Sequence, residues 1–315
     1  MAAAVTTAGA TSTAGKIYTA LSRVPMWAMA ILWLLPTFGL FVNSLRPRDA
    51  QRNSGWWTLA SDGEGTRFTL DNYDTVLGAG TVNSIKDSLL NSAAIAIPAT
   101  IIPIAVAAFA AYGFAWIDFK GRKWLFIAVV SFLAIPLQVA LIPLLRMYVG
   151  GAHLTLPIID KTLTLVPAWG LNGKAISVWL THTGFAMPFA IFLLHNYIVS
   201  LPKDIFESAR IDGADHFTIF WRLVLPLSVP VLAAFAIFQF LWTWNDYLIA
   251  VTMLGSAGGD ALPTTVAIAN LAGDFGKNEH LLTAGAFVQA FFPLVVFFSL
   301  QRFFVKGLLA GSVKG

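Results

Sequence analysis

The sequence predicts an all-α polytopic membrane protein with six transmembrane helices and a compact polar elbow between spans 4 and 5. Three observations carry that reading. Of 315 residues, 57% are hydrophobic and 11% are charged, against about 25% charged in soluble domains. Mean hydropathy is +0.73. Six windows are long enough to cross about 30 Å of hydrocarbon, and none of the 20 Lys and Arg or 16 Asp and Glu residues falls inside them. A charge at mid-bilayer costs about 2.5–3.5 kcal/mol on the mildest scale, which is a physical reason for the exclusion.

Residues 1–15 are mostly Ala, Thr, Gly and Ser. They have little apolar surface to bury, and 1–24 are expected to be a disordered N-terminus. Lys16 and Arg23 precede the first window, Met26–Leu45. That window exceeds the 7–15 apolar residues of a typical signal peptide. It is followed by NSLRPRDA rather than by a small-x-small cleavage site, so it reads as an uncleaved span. The outer segment 46–88 holds Trp56, Trp57, Phe68 and TLDNYDTVL. It can form a short interfacial helix that meets an extracytoplasmic partner, or a surface loop with anchoring aromatics.

Spans 2 to 6 are Leu89–Ile117, Trp124–Leu145, Ala175–Ser200, Leu223–Asn245 and Leu281–Gln301. Spans 2 to 5 contain Pro98, Pro103, Pro136, Pro143, Pro188, Pro226 and Pro230. Each proline removes a helix hydrogen bond, so these spans are expected to bend. With the N-terminus, 118–123, 201–222 and the C-terminus on one side, that side holds 11 Lys and Arg against 9 opposite. The totals barely differ, but the short loop DFKGRK packs three cations into six residues. Short loops weigh most in the positive-inside rule, which puts both termini in the cytoplasm.

The polar stretch ESARIDGADHFTIFWRLVLPL, Glu207–Leu227, joins spans 4 and 5. Pro202 breaks the end of span 4. Asp204 has the character of an N-cap, with Glu207 three residues later as in a capping box. A helix is expected over about 205–211, stopped by Gly213 at positive φ. Asp215 is placed to cap a second helix that leads into span 5. Ile205 and Ala209 share one face, and Glu207 and Arg210 are neighbours on another. A rigid elbow of this kind can dock into a groove on a cytoplasmic protein and transmit a push. An amphipathic hairpin lying on the inner leaflet fits the same composition.

At these residues the chain resembles the permease subunits of bacterial ATP-binding-cassette importers. Their pattern is Glu-Ala-Ala, three residues, Gly, nine residues, Ile-x-Leu-Pro. Glu207, Ala209, Gly213, Leu225 and Pro226 match it in place, with Ser208 for the first Ala and Leu223 for the Ile; DGAD, Asp212–Asp215, fits the extended form. FLWTWNDYL, Phe240–Leu248, and the tail LQRFFVKGLLAGSVKG, Leu300–Gly315, are similar to carbohydrate-importer permeases. They look most like the smaller, maltose-type permease, and LTHTGFAMPFAIFLLHNYI resembles the α-glucoside subgroup. The likeness covers residues 25–315.

The resemblance implies a transmembrane permease domain over 25–307, with a coupling loop at 201–222 and a C-terminal tail at 308–315. It implies that Glu207, Ser208, Ala209, Gly213 and Asp215 form a coupling helix and turn seated in a cleft of an ATPase dimer. A second permease would complete a heterodimer, and an extracytoplasmic sugar-binding protein would deliver the substrate, an α-glucoside such as maltose or trehalose. The chain would be a non-catalytic subunit of the bacterial inner membrane. It would bind no cofactor itself, and ATP and Mg²⁺ would sit on the ATPase. The chain has no GxxxxGK[ST] phosphate loop, which agrees with ATP being handled elsewhere.

Sugars need hydrogen bonds and aromatic faces, and transporter sites lie near mid-membrane at broken helices. Polar candidates for the path are Gln239, Trp242, Asn245, Asp246, Gln138 and Gln289. Span 5 is richest, and Gln239, Trp242 and Asp246 are spaced to share a helix face. Buried amides also serve as interhelical glue. An ion-coupled secondary transporter or a channel subunit is the alternative. Proton coupling commonly uses an intramembrane carboxylate, yet Asp246 lies only at a span end. The absence of Cys, of HExxH and of GxSxG points away from thiol, zincin and serine-hydrolase chemistry, no metal site is expected, and a net charge of +4 does not call for nucleic acid.

Overall fold

The computed structural model describes residues 13–60, 67–78, 84–156, 161–271 and 278–312. It is helical almost throughout. In order come α1 (Thr13–Ser44), α2 (Arg48–Asn53), a 3₁₀ turn, α3 (Asp71–Leu77), α4 (Lys86–Trp116), α5 (Arg122–Ser131), α6 (Leu137–Gly150) and a hairpin of β1 (Ala152–Leu156) with β2 (Lys161–Val166). Then follow α7 (Ala175–Val199), α8 (Lys203–Ile211), α9 (His216–Ile219), a π turn (Phe220–Val224), α10 (Leu225–Leu227), α11 (Val229–Trp244), α12 (Leu248–Leu254), α13 (Thr264–Leu271) and α14 (Glu279–Ser312).

Arg23–Ser44 of α1, all of α4 and α7, and Glu279–Arg302 of α14 are each long and apolar enough to cross a membrane unbroken. Two helix pairs are long and apolar enough only when taken together, each bent at a short break: Arg122–Ala134 with Leu137–Gly150 at 105°, and His216–Leu227 with Val229–Trp244 at 70°. Four of the six expected windows thus reappear as single helices, and the other two fall on the bent pairs. The helices also extend past the expected ends. Residues 13–24, expected to be disordered, are the first turns of α1, and α14 runs on to Ser312 through most of the expected tail. Residues 1–12 and 313–315 lie outside the described residues.

The prolines do not act alike. Span 3 breaks because Ile135, ahead of Pro136, takes an extended conformation (ψ 119°), as the proline ring forces on its predecessor. Span 5 breaks at Ser228, between Pro226 and Pro230. In α4 and α7, by contrast, Pro98, Pro103 and Pro188 leave the helix unbroken. Pro103 and Pro188 are buried, but half-buried Pro98 and exposed Pro143 of α6 also sit in unbroken helix, so burial does not decide the outcome.

The hairpin is an addition to the expected all-α architecture. Its antiparallel register pairs Leu154 with Leu163 and Thr155 with Thr162. Leucines therefore line one face and threonines the other, the period-2 alternation of a strand.

The chain divides into two compact units, 1–76 with 272–287, and 77–271 with 288–315. In the first, the segment after α1 is folded around fully buried Arg46. Its guanidinium donates to the Asn43 side chain (3.0 Å) and to the carbonyls of Ser54 (3.1 Å) and Ala50 (2.9 Å). Asn72 of α3 donates to the carbonyls of Ser44 and Arg46, both at 2.9 Å. The second unit is built on α4, α7 and α11. Small residues such as Ala107, Ala111, Ala186 and Ala190 are buried there, which lets helix backbones approach closely in a membrane. The Ser92 hydroxyl donates to the Thr264 hydroxyl (2.9 Å) and accepts from the Thr264 N–H (2.8 Å), tying α13 to α4.

Candidate functional site

The elbow closes by local chemistry. Pro202, not Asp204, occupies the N-cap position of α8, and Asp204 lies in the first turn. The Ser208 hydroxyl bonds back to the Asp204 carbonyl at 2.8 Å. At the other end Gly213 has φ +81°. Its N–H donates to the Arg210 carbonyl (3.0 Å), and the Ala214 N–H donates to the Ala209 carbonyl (2.9 Å). This is the paired closure of a Schellman motif. Asp215 then caps α9, accepting the Thr218 N–H at 2.8 Å. The Thr218 side chain and backbone hold the exposed Asp215 carboxyl below the usual carboxylate range.

The elbow has two distinct sides. Phe206 is 1% exposed and stacks on Trp116 of α4, ring centroids 4.0 Å apart. Phe220 stacks on Phe109 at 4.4 Å. The Tyr112 hydroxyl lies 2.8 Å from Nδ1 of His216. Glu207, Ser208, Arg210 and Ile205 are exposed, Ala209 is half-buried, and Ile211 is 85% exposed. Glu207 and Ser208 thus face outward, while Gly213 and Asp215 shape the turn. The aromatic inner side, Phe206 with Trp116 and Tyr112 with His216, escaped the sequence reading. The available signal was the Phe206/Ala209 spacing of three, which puts the one aromatic of α8 on a face with a small residue.

A second feature is a cleft of about 710 Å³ between α5, α6, α7 and α11. Its walls are mainly apolar, with Tyr148, Thr181 and Trp242 as its amphipathic contributors. Of the six residues proposed for a path, Trp242 lines it. Gln239 is buried, and its amide donates to the Ala99 carbonyl of α4 at 3.1 Å. The helix α11 ends at Trp244, so Asp246 does not continue the expected face. Instead Asp246 caps α12, accepting the N–H groups of Ile249 (3.2 Å) and Ala250 (2.9 Å). Its Oδ2 also lies 3.6 Å from Nε2 of buried His182, beside whose ring stands Trp242. Asn245 donates to the Leu241 carbonyl at 2.8 Å. Gln138 is exposed near the start of α6, and Gln289 is half-buried, its carbonyl accepting from Trp244 Nε1 at 3.1 Å. Among the described residues no group of three or more His, Asp and Glu is placed to hold a metal ion.

Three comparisons bear on this geometry. The family model described as "Binding-protein-dependent transport system inner membrane component" matches residues 103–309. The osmoprotective compounds uptake permease protein GgtD of Synechocystis sp. is 48% identical over 293 residues, covering 93% of this chain and 91% of that protein. The alpha-glucoside transport system permease protein AglG of Rhizobium meliloti is 40% identical, covering 91% of this chain and 95% of that protein. Among solved structures, a chain of a bacterial ABC transporter involved in the import of the acidic polysaccharide alginate superposes with a TM-score of 0.69. That match covers 93% of this chain and 98% of the other at 19% identity, a likeness of fold.

Proposed function

The chain belongs to the binding-protein-dependent transport system inner membrane component family, and from that premise we propose that it is the smaller permease of an ATP-driven α-glucoside importer. It is a non-catalytic translocation subunit. Its partners are a second permease, an ATPase pair and an extracytoplasmic substrate-binding protein. ATP and Mg²⁺ are bound by the ATPase, and both termini lie in the cytoplasm. The name of the relative from Rhizobium meliloti supports an α-glucoside, and that of the Synechocystis relative an osmoprotectant. Trehalose satisfies both descriptions.

The observation that carries the reading is the elbow. Glu207 stands exposed on a helix whose far end is fixed by the Gly213 turn and whose inner side is pinned by Phe206. Such a helix presents a carboxylate and the apolar tip of Ile211 to a groove on another protein, while its anchor passes any displacement into the membrane helices. The ATPase contact is assigned to Glu207, Ser208 and Ala209, with Gly213 and Asp215 holding the turn. The sugar path is assigned to the cleft at Trp242. An aromatic face suits the C–H surface of a sugar ring, and Tyr148 of α6 and Thr181 of α7, whose hydroxyls lie 3.4 Å apart, also line the cleft.

The test is reconstitution of the chain with its partner permease, ATPase and binding protein in proteoliposomes. Uptake of labelled trehalose or maltose should require ATP on the ATPase side and the binding protein on the other. Uptake driven by an ion gradient without ATP would replace this reading with a secondary transporter.

A further inference from the structure

We infer that span 2, the helix α4, is the rod that carries the elbow's stroke across the membrane, and that Phe109, Tyr112 and Trp116 fasten the elbow to it. This rests on the proposed coupling role of the elbow. The obvious route for the stroke is the covalent one, through span 5, which follows the elbow directly in sequence. That route is interrupted. The π turn at 220–224 leads into a 70° bend at Ser228, and π turns and proline breaks are where helices flex. At the bend the Leu227 carbonyl is held by the Tyr197 hydroxyl at 3.0 Å. The bend is thereby tied to α7, and a push along α9 and α10 is not directed down the axis of α11, which leaves at 70°.

Span 2 offers the opposite properties. It is unbroken over 31 residues, about 46 Å at 1.5 Å per residue. Its cytoplasmic end carries three aromatic residues at helical spacing, 109, 112 and 116, on one face. Each meets a residue of the elbow or its π turn: Phe109 stacks on Phe220, Tyr112 bonds His216, and Trp116 stacks on Phe206. Both α8 and the segment after Gly213 are thus gripped by the same helix. At the other end of α4, Ser92 bonds Thr264 twice, and the Asn91 amide donates to the Leu262 carbonyl at 3.2 Å. One continuous helix, unbroken at Pro98 and Pro103, joins the elbow to the opposite end of the unit, where α13 begins.

These are positioning residues, so the readout is sugar transported per ATP hydrolysed in the full reconstituted complex. Trp116→Leu and Tyr112→Phe should lower that ratio, by about fivefold to tenfold for Trp116→Leu, within the range by which mutations along coupled elements shift coupling. Trp116→Phe, which keeps a ring on Phe206, should restore most of it. The chain has no cysteine, so Trp116→Cys can be combined with Phe206→Cys and bridged by a short bis-maleimide. The unbridged pair should be uncoupled, and bridging should recover transport, because the elbow and span 2 move as one body. If the bridge instead blocks transport, the elbow slides against span 2 and the inference is overturned. A wild-type ratio in both Trp116→Leu and Tyr112→Phe overturns it equally. Should Trp116→Leu fail to assemble, Tyr112→Phe decides, since it removes only a hydroxyl. Wild-type vesicles are the control: if they show no ATP-dependent uptake, the coupling role itself is lost.

Discussion

Gly213 is the position where a small change should have a calculable effect. Its φ of +81° places it in the left-handed region, and a Cβ built there meets nothing within 4 Å. The cost of a side chain is therefore conformational and not steric. For an L-residue it is about 1–2 kcal/mol, less for Asn, which tolerates this conformation. The strain acts against the two closing hydrogen bonds from Gly213 and Ala214. It is offset by the burial of Phe206, about 1.5–3 kcal/mol for a phenylalanine side chain. The elbow should remain mostly closed in Gly213→Ala but open about 5 to 30 times more often, which is the same 1–2 kcal/mol expressed as an equilibrium.

Hydrogen–deuterium exchange across 209–216 in the assembled complex reads this directly. Protection should fall in the order Gly, Asn, Ala, Val, with ATP-driven uptake following the same order. Val comes last because a β-branched residue at positive φ is the worst fit. If Ala protects the turn as well as Gly does, or if Asn is worse than Ala, the backbone account of the elbow is wrong.

Three other outcomes follow from the same geometry. Glu207→Arg changes an exposed residue, so stability should stay within about 0.5 kcal/mol, while co-purification with the ATPase and coupled uptake collapse; normal uptake with a normal ATPase yield would dismiss the contact. Gln239→Leu should cost about 0.6–2 kcal/mol in unfolding of the detergent-solubilised complex and leave the KM for sugar unchanged, whereas Trp242→Ala should raise KM with little loss of stability. The reverse pattern would move the path from the cleft to the face of Gln239. Asp215 has a folded pKa below its unfolded one. Its capping contribution is thus present above the unfolded value, about 3.9, and is lost only as pH falls through the lower folded value. Protection of the Thr218 amide, corrected for intrinsic exchange, should hold from pH 7 to about pH 4 and then drop, and Asp215→Asn should abolish the drop; a loss beginning near neutral pH would contradict the cap.

The legibility of this chain follows the range of the forces involved. The six spans could be read because excluding charge from hydrocarbon acts on every residue independently. The turn at Gly213 and the cap at Asp215 could be read because each involves residues within five positions. The fate of the prolines could not. Pro136 and Pro188 look alike in sequence, yet one follows a break and the other sits in an intact helix; the difference lies in the residue before each, extended at Ile135 and helical at Met187. Asp204 was misplaced for a related reason, because Pro202 already supplied the extended residue from which a helix can start. The hairpin at 152–166 was missed because alternation over five residues is weak beside long helical windows.

The path residues show where such reading reaches its limit. A polar side chain in a span advertises a donor or acceptor, but the sequence does not say whether that group is already engaged. Here the amide nitrogens of Gln239 and Asn245 donate to carbonyls within the protein and the Asp246 carboxylate accepts from two N–H groups, while the buried Gln239 Oε1 is unpaired but does not line the cleft. A group so engaged must give up a bond to greet a substrate, and the net gain from exchanging one hydrogen bond for another is small, about 0.5–1.5 kcal/mol. Trp242 lines the cleft and is partly exposed, with the His182 ring at right angles beside it, and no hydrogen bond has to be given up for a sugar to stack there. Substrate recognition by this chain should therefore come more from stacking and shape than from the amides that stood out in the sequence.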